Sequence, residues 1–152
     1  MTESTGLYFA YGSNLRTTRM VQRVPSAVTV GAARLAGHEL RIDKRGRDGS
    51  AKANLAAAPG EHVWGVIYRI GPTDWRVLDR FEGGYVRCSV VVELNGAAAG
   101  ATTYQSDQRV PGLLAFDWYL AHLCSGAREH ALPSDWCARL EALSGLPGTE
   151  GA

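Results

Sequence analysis

Apolar residues recur along the whole chain, and their spacing changes from strand-like to helical and back. A short apolar run at Leu7–Tyr11 predicts a strand, followed by Gly-Ser-Asn and a helical segment over about Leu15–Val24 that Pro25 ends. Residues 28–42 mix apolar and β-branched positions broken by Gly31 and Gly37, which predicts strands with a bulge or turn. A polar loop, KRGRDGS, comes next. Ala51–Ala58 then reads as a strand joined through Pro59-Gly60 to a second at His62–Ile70. Gly71-Pro72-Thr73 opens a short helix carrying Val77, Leu78 and Phe81, and Gly83-Gly84 closes it.

Val86, Cys88, Val90, Val92 and Leu94 alternate strictly, which predicts one buried strand face. Asn95-Gly96 turns the chain into a strand around Ala101–Ser106. After Pro111, apolar positions at Leu113, Phe116, Leu120, Leu123 and Ala127 trace one helical face. Pro133-Ser134 opens a last helix with Trp136, Leu140 and Leu143 on a shared face. Strands dominate the middle and helices flank it. Consecutive strands without crossover helices favour antiparallel pairing, hence an α+β domain built on a small curled sheet or barrel.

The length of 152 residues fits one domain, 1–152, with a tail over 146–152 expected to fray. Sixteen Lys+Arg against fifteen Asp+Glu give a formal charge of +1, which supplies no general field for nucleic acid or an anionic membrane. No run approaches the ~18–20 apolar residues of a membrane span, and MTESTG lacks a signal pattern, so a cytoplasmic location is expected. The three cysteines form no CxxC and the four histidines lack ligand spacing, so no metal site or disulfide framework is expected. The chain is rich in glycine, with 18 residues where roughly 7% is usual. Most of these punctuate turns.

Two segments carry candidate chemistry. Tyr11-Gly12-Ser13-Asn14-Leu15 lies between strand and helix, where Gly12 permits a tight turn and successive N–H groups converge on an anion. The competing reading is that Ser13 or Asn14 merely caps a helix. No GxGxxG or GxxxxGK[ST] is present, which favours a carboxylate over a nucleotide phosphate. In Leu78–Tyr85, Glu82 falls at a helix C-terminus ahead of two glycines. The negative end of the dipole and burial beside Phe81 and Tyr85 would both raise its pKa, as a proton shuttle requires. An exposed glutamate before a C-cap is the alternative. Arg16, Arg19 and Arg23 read as a solvated basic face, and Cys88 as a structural thiol.

Taken in order, YGSNL, VWGVIYRI, LDRFEGGYVR, TTYQS and CSGAREHALP resemble the gamma-glutamylcyclotransferase-like (AIG2-like) family, from about Leu7 to Leu143. The resemblance implies a small β-barrel with flanking helices and one pocket. It implies that Tyr11, Gly12, Ser13, Asn14 and Leu15 hold the α-carboxylate of a γ-glutamyl group, and that Glu82 is the catalytic acid/base. It also places Tyr85 and Tyr104 on the pocket wall.

Such chemistry needs no cofactor. The substrate's α-amine attacks its own γ-carbonyl, closes 5-oxoproline and expels an amine, so the one partner implied is a small γ-glutamyl molecule. An amide hydrolase or acyl transferase, and a carboxylate-binding module without catalysis, are the other readings. Nothing in the pattern fixes an oligomeric state. Only Gly83-Gly84 separates Glu82 from the next strand, where several family members carry a longer loop. That shortening is expected to open the pocket on the leaving-group side and admit a bulkier leaving group. KRGRDGS is a candidate lid.

Overall fold

The structure, a computed structural model, describes residues 6–150. Five strands close into a barrel in the order β1-β3-β2-β4-β5. These are β1 (Leu7–Ala10), β2 (Val28–Arg45), β3 (Ala51–Arg69), β4 (Val86–Leu94) and β5 (Ala97–Gln105). Neighbours run antiparallel except β1 and β5, which are parallel and meet at Tyr8 and Thr102. The Thr103 hydroxyl fastens that seam by donating to the Phe9 carbonyl at 2.7 Å. Four helices flank the barrel: α1 (Thr17–Arg23), α2 (Asp74–Phe81), α3 (Asp117–Glu129) and α4 (Ser134–Glu141). Among the described residues no helix is long and apolar enough to cross a membrane.

Residues 28–42 take the bulge of the two alternatives expected there and lie in the single strand β2. The two strands expected either side of Pro59-Gly60 are one, β3. Gly37 and Gly60 do interrupt the β2–β3 hairpin, at φ of +76° and +86°, yet pairing resumes on both sides. Ala36 pairs with His62 and His38 with Ala57, so 58–61 bulge against the single residue Gly37. A bulge bends a strand without ending it, which is how one hairpin curls round the barrel. The polar loop is correspondingly shorter than expected. Lys44 and Arg45 belong to β2, and 46–50 form a tight turn held by Gly46 N–H to Ser50 O at 2.8 Å.

Other differences have local causes. β4 buries only Val92 fully, and Val86 is exposed, because β4 meets β2 at just two residue pairs near its end. Leu113 precedes α3. Gly112, at φ +85°, turns the chain so that Leu114 accepts from Ala51 N–H before Phe116 caps the helix. Leu143 lies beyond α4. The tail expected to fray is docked as far as it is described. Leu146 exchanges backbone hydrogen bonds with Ala115 and Asp117, and Glu150 pairs with Arg19 at 2.7 Å.

Close approach explains two glycines. A Cβ on Gly126 of α3 would collide with the Leu15 backbone, so this helix packs directly on the segment after β1. A Cβ on Gly65 of β3 would meet the Ala10 carbonyl and lie 2.8 Å from the Phe9 ring. Gly65→Ala is therefore expected to cost about 1–3 kcal/mol in urea unfolding. Gly100→Ala in β5, with open space around the new methyl, is expected to stay within ~0.5 kcal/mol of wild type.

Candidate active site

After β1 the chain makes a single turn of 3-10 helix, Ser13–Leu15, before α1. Three contacts fix this turn from outside. The Tyr68 hydroxyl donates to the Asn14 carbonyl at 2.7 Å, His130 Nε2 lies 2.9 Å from the Leu15 carbonyl, and Leu15 is sealed under Gly126. Gly12 does not use a positive φ here; its φ is −109°. Glycine is required by space, because a Cβ would lie 3.1 Å from Ala53 Cβ and 3.4 Å from the Tyr119 hydroxyl. The first N–H groups of a helical turn have no acceptor within the turn. Ser13 and Asn14, the first residues of that turn, line a cavity of about 300 Å³.

Leu15 departs from the expected arrangement. Its side chain is fully buried and its N–H is spent on the Gly12 carbonyl at 3.0 Å. It anchors the loop and does not line the cavity. The remaining expected residues, Tyr11, Gly12, Ser13, Asn14, Glu82, Tyr85 and Tyr104, all line it.

Glu82 caps the C-terminus of α2. Its N–H donates to Leu78 and Asp79 carbonyls, and its own carbonyl accepts from Tyr85 N–H at 3.0 Å, closing a turn in which Gly84 takes φ +84°. The turn aims the carboxyl back into the cavity, where Asn14 Nδ2 lies 3.3 Å from Glu82 Oε1. That amide is itself oriented. Arg23 Nη1 donates to Asn14 Oδ1 at 3.3 Å, and Asn14 Nδ2 also reaches the Tyr8 hydroxyl at 3.1 Å. Burial raises the Glu82 pKa from an ordinary 4.5 to about 7, opposed by the charges of Arg23, Arg19 and Lys44 and assisted by Asp79.

The wall is tyrosine-rich, and most hydroxyls are committed. Tyr11 donates to the Tyr104 carbonyl at 2.6 Å, Tyr104 to Asp79 at 2.6 Å, and Tyr85 to the Ala53 carbonyl at 2.5 Å. Tyr119 differs, because its oxygen accepts Ala53 N–H at 2.8 Å. That bond leaves the hydroxyl proton available to point into the cavity. Burial pushes its pKa up to about 12, so the proton stays on near neutral pH.

Sequence reasoning missed Tyr8, Tyr119 and the cavity's cations. Arg19 and Arg23, read as a solvated face, turn towards the cavity and flank the 3-10 turn, with Arg19 Nε 3.0 Å from Ser13 Oγ. Their i, i+4 spacing directly after YGSNL was the available signal. Lys44, Arg47 and Lys52 enter from the β2–β3 hairpin. KRGRDGS thus contributes wall residues. The side expected to stand open beside Gly83-Gly84 is occupied: Lys44 Nζ donates to the Gly83 carbonyl at 2.7 Å and Arg47 Nη2 to the Arg80 carbonyl at 3.0 Å.

The family model for the AIG2-like family matches residues 62–140. Gamma-glutamylcyclotransferase of Mus musculus is 33% identical over 91% of this chain and 79% of its own length. The Homo sapiens protein of that name is 31% identical over 93% and 80%. The chain belongs to the AIG2-like, gamma-glutamylcyclotransferase family. A solved gamma-glutamyl cyclotransferase superposes with a TM-score of 0.87 at 30% identity, covering 94% of this chain and 90% of that one. The expected mixed barrel with flanking helices is thus the family fold.

A carboxyl held at about 7 in the folded family domain withdraws stability as pH rises. Below about 4.5 both folded and unfolded chains hold the proton, and between 4.5 and 7 the unfolded chain alone releases it. Glu82→Gln imitates the protonated carboxyl and removes that penalty. We expect the variant to melt at a higher temperature than wild type near pH 8, with the gap closing towards about pH 4. A destabilised variant at both pH values would contradict the burial of this charge.

Proposed function

We propose that this family member is a γ-glutamyl cyclotransferase in which Glu82 moves the protons. The observation that carries the reading is the position of the Glu82 carboxyl, its pKa raised by burial, 3.3 Å from Asn14 in the cavity that Ser13 and Asn14 also line. The substrate's α-carboxylate docks at the 3-10 turn between Arg19 and Arg23. This leaves the α-ammonium next to Glu82. The carboxylate takes one ammonium proton, the freed amine attacks the γ-carbonyl carbon, and a five-membered lactam closes. As the C–N bond to the leaving group breaks, the proton on Glu82 passes to the departing nitrogen, and the second proton shed by the attacking nitrogen is taken up by the released amine. 5-Oxoproline and the leaving group's ammonium result.

One carboxyl suffices for both transfers because, at about 7, its two forms are nearly equally populated at neutral pH. Folding the γ-glutamyl arm back on itself is the other requirement. Holding the carboxylate end supplies it, since a well-oriented internal nucleophile is worth several kcal/mol of barrier, about 7–11 at the limit. The developing oxyanion needs a donor, and Tyr119 fills that role with its uncommitted hydroxyl proton. The aromatic wall of Tyr11, Tyr85 and Tyr104 shapes the cavity, its hydroxyls tied to the frame.

Incubation with a panel of γ-glutamyl amines is expected to release 5-oxoproline, detected chromatographically. Free glutamate would instead indicate hydrolysis, and binding without turnover a carboxylate-binding module. Glu82→Gln is expected to keep ligand binding and lose at least ~100-fold in turnover. Tyr119→Phe is expected to lower kcat by on the order of 10²-fold with a smaller change in KM. Unchanged kcat would remove Tyr119 from the oxyanion role.

A further inference from the structure

The charges facing the cavity do not balance. Arg19 is paired with Glu150 at 2.7 Å and Lys52 with Asp48 at 3.2 Å. Arg23, Lys44 and Arg47 have no carboxylate oxygen within 4.0 Å among the described residues; their hydrogen-bond partners are the Asn14 side-chain oxygen and the Gly83 and Arg80 carbonyls. Glu82 supplies at most one negative charge, and one substrate α-carboxylate supplies another. Arg23 stands at the 3-10 turn, where that carboxylate docks. The excess is therefore concentrated beside Gly83 and Gly84, at Lys44 and Arg47.

That side is built around two glycines. A Cβ on Gly84 would fall 2.5 Å from Lys44 Nζ, and one on Gly83 would lie 3.0 Å from Arg47 Nη2. Side chains at either position would displace the cations, so the short turn after Glu82 is the space that admits them. Lys44 is only 4% exposed, and its ammonium also lies 4.9 Å from the centre of the Tyr85 ring. A buried ammonium with one carbonyl acceptor and a ring face retains donors for a further partner. Burial weakens its hold on its proton; the Glu82 charge opposes that shift, and the charges of Arg47 and Lys52 add to it, so a bound anion would strengthen the hold.

We propose that Lys44 and Arg47, standing over Gly83-Gly84, form a subsite for a negatively charged group on the side chain of the leaving amine. The inference rests on the cyclotransferase reading and names its substrate class: γ-glutamyl compounds of acidic amines, in place of the merely bulkier leaving groups that an open loop predicts. A carboxylate on the leaving side chain meets the ammonium of Lys44 inside and the guanidinium of Arg47 at the mouth. Neutral leaving groups of equal size leave both cations without a counter-charge.

The test compares γ-glutamyl-4-aminobutyrate with γ-glutamyl-4-aminobutanamide, whose leaving amines match in size and differ by one charge, by initial rates of 5-oxoproline release. Wild type is expected to favour the acidic leaving group about tenfold in kcat/KM at low ionic strength, with the preference shrinking as salt is added. Arg47→Met and Lys44→Met are each expected to move that ratio towards one. Arg47 is exposed, so its replacement tests the subsite without disturbing the fold. Equal kcat/KM for the two compounds in wild type, or an undiminished preference in both variants, would overturn the subsite while leaving the cyclotransferase reading intact. Absence of 5-oxoproline from every γ-glutamyl amine would remove both.

Discussion

The site depends on a carboxyl that is costly to ionise in its surroundings and is still ionised half the time. Burial alone would keep Glu82 protonated, and Arg23, Arg19 and Lys44 alone would keep it charged. The balance places it at about 7. Remove the cations and little of the group stays ionised at neutral pH; open it to water and it becomes a poor acid. Each feature that holds Glu82 in a half-buried position among cations therefore belongs to the proposed chemistry, including groups far from the reacting atoms.

Much of the barrel can be understood as the frame for that balance. β1 delivers the 3-10 turn, and β3 pins it through Tyr68, whose hydroxyl reaches the Asn14 and Leu15 carbonyls. α3 presses on it at Gly126, where no side chain fits. α2 brings Glu82 from the opposite side, held by Asp79, which accepts from Tyr104 and pairs with Arg87 at 2.9 Å. Two ends of the chain thus meet at Asn14, whose amide oxygen faces Arg23 and whose nitrogen faces Glu82. An amide at that point is oriented by its neighbours, because a reversed Asn14 would set its NH₂ against the Arg23 donor.

The elements with strong local signals were readable in the sequence. Asn95-Gly96 turns at φ of 53° and 79°, as its dipeptide predicts, and the helix before Gly83-Gly84 runs Asp74–Phe81. The unread parts depend on partners distant in sequence. Gly37 leaves a bulge and a turn both open and Pro59-Gly60 reads as a turn, since only pairing across the hairpin decides between them. Leu15 belongs to a motif whose other members line the cavity, and its burial follows from Gly126, 111 positions away along the chain. The cations were hidden for the same reason. Arg19, Lys44 and Lys52 come from three separate elements, and each alone resembles an ordinary surface charge.

A formal charge of +1 over the whole chain therefore conceals a strongly polarised cavity. This segregation has a consequence for timing. The cations hold the Glu82 pKa down, which favours the ionised form but weakens its appetite for a proton. A substrate carboxylate at the 3-10 turn, and an anion over Gly83-Gly84, would each offset part of that positive field. Glu82 becomes more basic as those charges are met, while the substrate's ammonium arrives as the proton to be taken. In the proposed mechanism, the cations that keep the carboxyl ionised are thus the ones that bound substrate neutralises, so proton affinity rises when the acid/base step begins.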